Sequence, residues 1–266
     1  MTIPGFDQAA YLRRIGLDEP VSPDEKGLEL ITRAQGFSIP FENFDILLGR
    51  GISLAAADIF NKLVMSPRGG YCFELNNLLL MALQHFGFEA RPLLARVHLR
   101  GTPTARTHQL ILVTINDKRW LADVGFGGGG LLAPIPFELD RVNEQDNLAC
   151  RLVKNPVYDT MLQLKTEDRW QDLYSFDLSH VSEADIVMSN HFTSTHPENF
   201  FTFARIATLP VAGGRLSLMN FNLKQRINHQ EETTVLLPGQ TYLDALKDNF
   251  GIQLDAPYEA LKPVHG

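Results

Sequence analysis

The chain has 266 residues, enough for one large domain or two or three small ones. Hydrophobic residues make up 44% and charged residues 21%, an ordinary globular balance that excludes disorder, a coiled coil and a collagen-like repeat. With 24 Lys+Arg against 31 Asp+Glu the formal charge is -7, and no basic cluster could track a phosphate backbone, so nucleic acid is not an expected partner.

The opening MTIPGFDQAAYLRRIG lacks the charged and apolar regions of a signal peptide, and no apolar run approaches the roughly 20 residues needed to span a bilayer, so neither export nor a membrane partner is expected. Two cysteines, Cys72 and Cys150, stand in unlike surroundings, and a reducing cytoplasm fits them best.

Residues 1 to 88 read as helical. Ser22 offers a cap with Pro23 at the first helical position, and Leu28, Leu30, Ile31 and Ala34 keep near-helical spacing up to Gly36. Ala55 to Met65 is a second amphipathic stretch, closed by Ser66 and Pro67. A third helix opens near Tyr71 and carries Leu75, Leu78, Leu79, Ala82, Leu83 and Phe86, apolar around much of its circumference, which predicts a buried central helix ended by Gly87.

From residue 91 the hydrophobic period changes to two. RPLLARVHLR, THQLILVTI, RWLADVGF, ACRLVK, DTMLQLKT and DLYSFDL are short strand-like segments, as in a barrel or sandwich. Ser182 and Asp185 form a capping-box start to a helix reaching about Phe192. Strands are then predicted at 200–209, 215–222 and 232–237, and a helix at 241–249 ended by Gly251.

Cys72 follows Gly69, Gly70 and Tyr71, where the central helix starts. Unpaired amides of a first helical turn carry partial positive charge and bias a thiol there toward the nucleophilic thiolate. The same residue type is more often a small buried hydrophobe, which is the reading kept for Cys150 within ACRLVK.

A nucleophilic cysteine needs a base, and the base needs a group to fix its tautomer. If Asn116 and Asp117 are the central residues of a hairpin turn, Ile115 faces Lys118 and Leu110 faces Asp123, so His108 lies diagonally across from Asp123 on the same face. That relation leaves Cβ atoms about 7–8 Å apart, close enough for an imidazole and a carboxylate to meet, and a slip of one residue would separate them. His85, near the end of the central helix, and His98, His180, His191, His196, His229 and His265 have no acid so placed and read as surface or structural. No HxxxH or CxxC pairing supports a metal site.

GFGGGG at 125–130 satisfies GxGxxG in form, but Pro134 and Pro136 in the following LLAPIPF forbid the helix that a dinucleotide fingerprint requires. Such a loop either is unanchored or lets a bulky ligand approach the backbone, with successive amides forming an anion site. Its position after Asp123 favours the ligand.

RGGYCFELN (68–76), RTHQLILV (106–113), LADVGFGG (121–128) and IPFENFDI (39–46), with YLRRIG and STHPENFF, together resemble the arylamine N-acetyltransferase family over most of the chain. The resemblance implies an α+β fold in three parts: an N-terminal helical bundle (1–88), a central β-barrel (89–180) and a C-terminal α/β lid (181–266), with a cysteine-proteinase-like catalytic core. It puts catalysis on Cys72, His108 and Asp123. It also implies acetyl-CoA as acyl donor without a metal, and ping-pong transfer of the acetyl group to the nitrogen of an arylamine, arylhydrazine or N-hydroxyarylamine. Coenzyme A and a small aromatic amine or hydrazine are then the partners.

By the same resemblance Phe41, Phe126 and Phe201 line the acceptor pocket, Gly127, Gly128, Gly129 and Gly130 lie at the coenzyme A pyrophosphate, and Glu42 and Arg68 are charge-paired near the cysteine. The family often carries a His a few residues before IPFEN, where this chain has Gln35. Two other readings stay open on residues alone: a papain-like or transglutaminase-like thiol amidase, and a catalytically silent binding protein.

Overall fold

Caps and apolar spacing account for the first helices. In the computed structural model, which describes residues 6–264 except 100, 168 and 229, α1 (Gln8–Ile15) starts at Asp7, whose carboxylate accepts from the Ala10 N–H, and stops at a left-handed Gly16. Helix α2 (Glu25–Ser38) is capped by Asp24, which accepts from the Gly27 N–H at 2.8 Å, and not by Ser22. The Ser22 carbonyl occupies the space a Gly27 Cβ would need, so Ser22 folds over the first turn instead of leading into it. Gly36 lies within α2, which ends two residues later.

A two-residue strand, β1 (Phe41–Glu42), interrupts the helical region, and its partner lies far along the chain, so no local period announces it. Next come α3 (Phe44–Leu47), α4 (Ala56–Leu63) and the central helix α5 (Cys72–His85). Helix α5 buries Phe73, Leu75, Leu78, Leu79, Ala82 and Leu83, as its apolar circumference predicts, and Gly87 follows at φ 89°.

The period-two segments form β2 (Glu89–Val97), β3 (Arg106–Ile115), β4 (Lys118–Ala122), β5 (Ile135–Pro136), β6 (Val142–Gln145), β7 (Leu148–Asn155), β8 (Asp159–Lys165) and β9 (Trp170–Phe176). They build one antiparallel sheet, ordered β5-β4-β3-β2-β9-β8-β7-β6, that curls into a nearly closed barrel. Strand β3 is buried on both faces: Leu110 and Leu112 point into the barrel, while Ile111, Val113 and Ile115 join the core around α5.

Ser182 and Asp185 open α6 (Glu183–Thr195) with reciprocal hydrogen bonds, as expected, and the helix runs three residues past Phe192. The strand predicted at 200–209 begins only at Ile206, because Asn199 accepts from the Phe201 N–H and winds 200–202 into a 3₁₀ turn. That strand is β10 (Ile206–Val211). The segment 215–222 is not one strand but β11 (Gly214–Met219) and the start of β12 (Asn222–Ile227), reversed at Asn220 with φ 56°. Strand β13 (Gln230–Val235) and α7 (Gln240–Phe250), ended by left-handed Gly251, come next, before a short 3₁₀ turn at Tyr258–Ala260. The second sheet runs β1-β10-β11-β12-β13.

The fold is thus α+β, with buried clusters around α5, inside the barrel, and between α7 and the second sheet. No helix among the described residues is long and apolar enough to cross a membrane.

Candidate active site

The turn between β3 and β4 sets the site. Asn116 and Asp117 have φ 49° and 62°, the pair of positive values that a two-residue type I′ hairpin demands, and the ladder pairs Ile115 with Lys118 and Ile111 with Ala122. Extending that register carries Leu110 to Asp123 and places His108 on the barrel-facing side with it. Nε2 of His108 lies 2.7 Å from Oδ2 of Asp123, and both residues are buried. An ionised carboxylate only accepts, so Nε2 carries the hydrogen and the neutral ring keeps its lone pair on Nδ1.

Burial alone would raise the Asp123 carboxyl. The charge and hydrogen bond of His108, the Asn76 amide and the Gly125 N–H outweigh it and hold the group below the ordinary carboxylate range. Asn76, absent from the sequence-derived candidates, binds the site together: its Nδ2 donates to Asp123 Oδ1 at 3.0 Å and to the Gln109 carbonyl at 2.6 Å, while its Oδ1 accepts from the Val124 N–H. The available signal was its place one turn after Cys72, which puts both on one face of the helix. Tyr174 was missed as well, and its ring centre lies 5.2 Å from that of His108.

Cys72 is the first residue of α5. The Tyr71 N–H ahead of it donates to Glu74 Oε2 at 3.1 Å, fixing the first turn. The sulfur lies 3.9 Å from the carbonyl oxygen of Thr107, the neighbour of His108. A helix start does not by itself make this thiol acidic: burial pushes it well up and the charge of Asp123 adds to that, against smaller opposing contributions from the Gln109 and Phe73 amides. Gly125 closes the other side, since a Cβ there would sit 2.9 Å from the Cys72 Cα and 2.6 Å from the Asn76 amide nitrogen.

Phe126 packs edge-on to His108, with ring centres 5.2 Å apart, and lines a cleft with Phe37, Phe41, Asp123, Gly127, Gly130 and Arg215. Phe41 thus lies in the cleft, whereas Phe201 does not line it and instead meets Phe41 at 5.8 Å and Tyr71 at 6.1 Å. The glycine loop is anchored: the Thr208 hydroxyl donates to the Gly127 carbonyl, and the Gly125 N–H donates to Asp123. Gly127, at φ 83°, lies against the Phe41 ring, and Gly130 against Phe126. Gly128 has open space where a side chain would project, and at Gly129, φ 136°, a Cβ would be 3.3 Å from Arg215. Among the described residues no helix follows the loop before α6, as the prolines require.

Behind Cys72, Arg68 pairs with Glu42 at 2.8 Å and Asp45 at 2.9 Å, and Lys62 bridges Asp45 and Glu74, so the expected Glu42–Arg68 pair is a buried one. Gln35 is buried, accepting from the Tyr11 hydroxyl and donating to the Leu75 carbonyl. Cys150 is enclosed in the barrel core. His85 contacts Gln8, and His98 contacts Ser175. His229 and His265 lie outside the described residues.

The N-acetyltransferase family model matches residues 26–258. The chain is 34% identical over 248 residues to the arylamine N-acetyltransferase / N-hydroxyarylamine O-acetyltransferase of Salmonella typhimurium, covering 91% of this chain and 88% of that one. It is 36% identical over 256 residues to the arylamine N-acetyltransferase of Mycolicibacterium smegmatis, covering 94% and 93%. The solved arylamine N-acetyltransferase of Mycobacterium marinum in complex with CoA superposes with TM-score 0.87 at 33% identity, over 92% of this chain and 93% of that chain. With a family model spanning most of its length and relatives of this identity along nearly all of it, the chain belongs to the arylamine N-acetyltransferase family.

Proposed function

We propose that the chain transfers an acetyl group from acetyl-CoA to the nitrogen of an arylamine, arylhydrazine or N-hydroxyarylamine through a thioester on Cys72. The observation that carries this reading is the buried His108–Asp123 pair set beside the helix start that bears Cys72, in a member of this family. Because burial disfavours the lone thiolate, the sulfur needs a partner that takes its proton, and a thiolate–imidazolium pair with His108, oriented by Asp123, supplies one.

In the first half-reaction the sulfur attacks the acetyl carbonyl carbon, the C–S bond to coenzyme A breaks, and the leaving thiolate takes the proton from His108. In the second the amine nitrogen attacks the thioester, gives its proton to His108, and Cys72 departs as thiolate. Backbone amides beside the sulfur, that of Cys72 included, hold the oxyanion at each stage. The acceptor ring lies against Phe41 and Phe126, with Phe201 supporting Phe41 from behind, and the Gly127–Gly130 backbone admits the donor's pyrophosphate.

The units 1–88, 89–180 and 181–266 then supply the nucleophile, the base with its orienting acid, and the wall that closes the cleft. A reducing cytoplasm keeps the two free thiols as they are. Initial rates measured over a grid of donor and acceptor concentrations should give parallel double-reciprocal lines, and Cys72→Ser should lose turnover while keeping its circular dichroism. Intersecting lines, or a Cys72→Ser protein that still turns over, contradict the reading.

A further inference from the structure

Arg215, on β11, lines the cleft that Asp123, Phe126 and the glycine loop share. The two buried arginines nearby each have a visible occupation: Arg68 is clasped by Glu42 and Asp45, and Arg205, whose Nε and Nη1 are without hydrogen-bond partners, donates to the Lys262 carbonyl and sits over the rings of Phe221, Tyr242 and Tyr258. Arg215 has none. Among the described residues it makes no ion pair, and its buried Nε has no hydrogen-bond partner. Asp123, the carboxylate of the same cleft, is taken up by His108, Asn76 and Gly125.

The cross-strand neighbour of Arg215 makes its position odder. In the β11–β12 ladder it stands directly opposite Arg226, and like charges so placed repel. Arg226 in turn faces Glu231 on β13, which bonds to Lys224 and also lies in the field of Arg226, so this acid answers Arg226 and not Arg215. A planar donor fork without a protein partner, lining a cleft, matches a planar or tetrahedral oxyanion. Gly129 completes the fit: a side chain there would press on Nη1 of Arg215, so its absence keeps the fork clear.

We propose that Arg215 recognises an anionic oxygen group of a substrate, a phosphoryl group of the acyl donor or a carboxylate of the acceptor, and so sets specificity at the cleft. The inference rests on the acetyl-transfer reading for its substrates, but its test does not need turnover. Binding of free coenzyme A, of 4-aminobenzoate and of uncharged aniline would be measured by calorimetry on the wild type, Arg215→Gln and Arg215→Lys. Loss of a charge-assisted bidentate contact should weaken an anionic ligand about tenfold or more in Arg215→Gln, with partial recovery in Arg215→Lys and no change for aniline.

Selective weakening of coenzyme A assigns the phosphoryl source, selective weakening of 4-aminobenzoate assigns the carboxylate, and either or both support the proposal. Unchanged affinities for both anions overturn it, as does an equal loss on all three ligands that Arg215→Lys fails to recover. If Cys72 proved unable to accept an acetyl group while Arg215→Gln still weakened an anion, the acetyl-transfer reading would fail and the anion site would stand.

Discussion

Cys72 is 3% exposed, and burial works against its ionisation more strongly than the helix start works for it. On the proposed mechanism, reactivity at this residue depends on His108, and His108 depends on Asp123 for its tautomer. Asp123→Asn keeps the shape but can donate to Nε2, which moves the lone pair to the wrong nitrogen. Its kcat/KM should fall by about 10²–10⁴. The depressed Asp123 carboxyl also has a pH signature, since the unfolded chain takes up a proton in the ordinary carboxylate range while the folded site resists until lower pH. This contribution is full at neutral pH and is lost as pH falls through the folded value. Thermal melts between pH 7 and 3 should show a shallower acid decline for Asp123→Asn than for the wild type. The placement of Cys72 at a helix start and of His108 against Asp123 was legible in the sequence because a helix start and a hairpin register are local facts. Asn76 and Arg215 were not, because what distinguishes them is a partner, or the lack of one, contributed by a distant segment.

At the scale of elements, the β3–β4 hairpin does two jobs, stabilising the barrel wall and setting the parity that brings His108 to Asp123. Both turn residues sit at positive φ, which Asn tolerates and a β-branched residue does not. Asn116→Val should destabilise by about 1–3 kcal/mol in urea unfolding and lower activity more than that loss alone would, because a relaxed turn loosens the register. An unchanged unfolding midpoint would show that the turn does not constrain the hairpin. Elements with a strong period, such as α5 and β3, were readable from sequence to within a residue or two. The start of α2 and the split of 215–222 were misplaced for a shared reason, since a folded-back Ser22 carbonyl and a left-handed Asn220 carry no hydrophobic period.

Across the whole molecule, one early segment ties the helical region to the second sheet. Strand β1 pairs with β10, and buried Asn43 beside it donates to the Phe201 and Ala204 carbonyls at 2.8 and 2.7 Å while accepting from the Ile206 N–H at 2.9 Å. These bonds cross more than half of the chain, which is why a reading by consecutive segments does not find them. Asn43→Ala leaves buried backbone groups unpaired and should lower stability by about 1–3 kcal/mol, with Trp fluorescence and circular dichroism still reporting one coincident transition. Separated transitions would mean that the parts unfold independently and that the stitch is not shared.

On the proposed mechanism the acetyl group rests on one sulfur between donor and acceptor. The protein mixed with acetyl-CoA and no amine, quenched in acid and mass-analysed intact and as peptides, should carry one acetyl group per chain on the peptide holding Cys72. Added arylamine should then discharge it. A chain that stays unlabelled, that is labelled elsewhere, or whose label survives the amine contradicts the account.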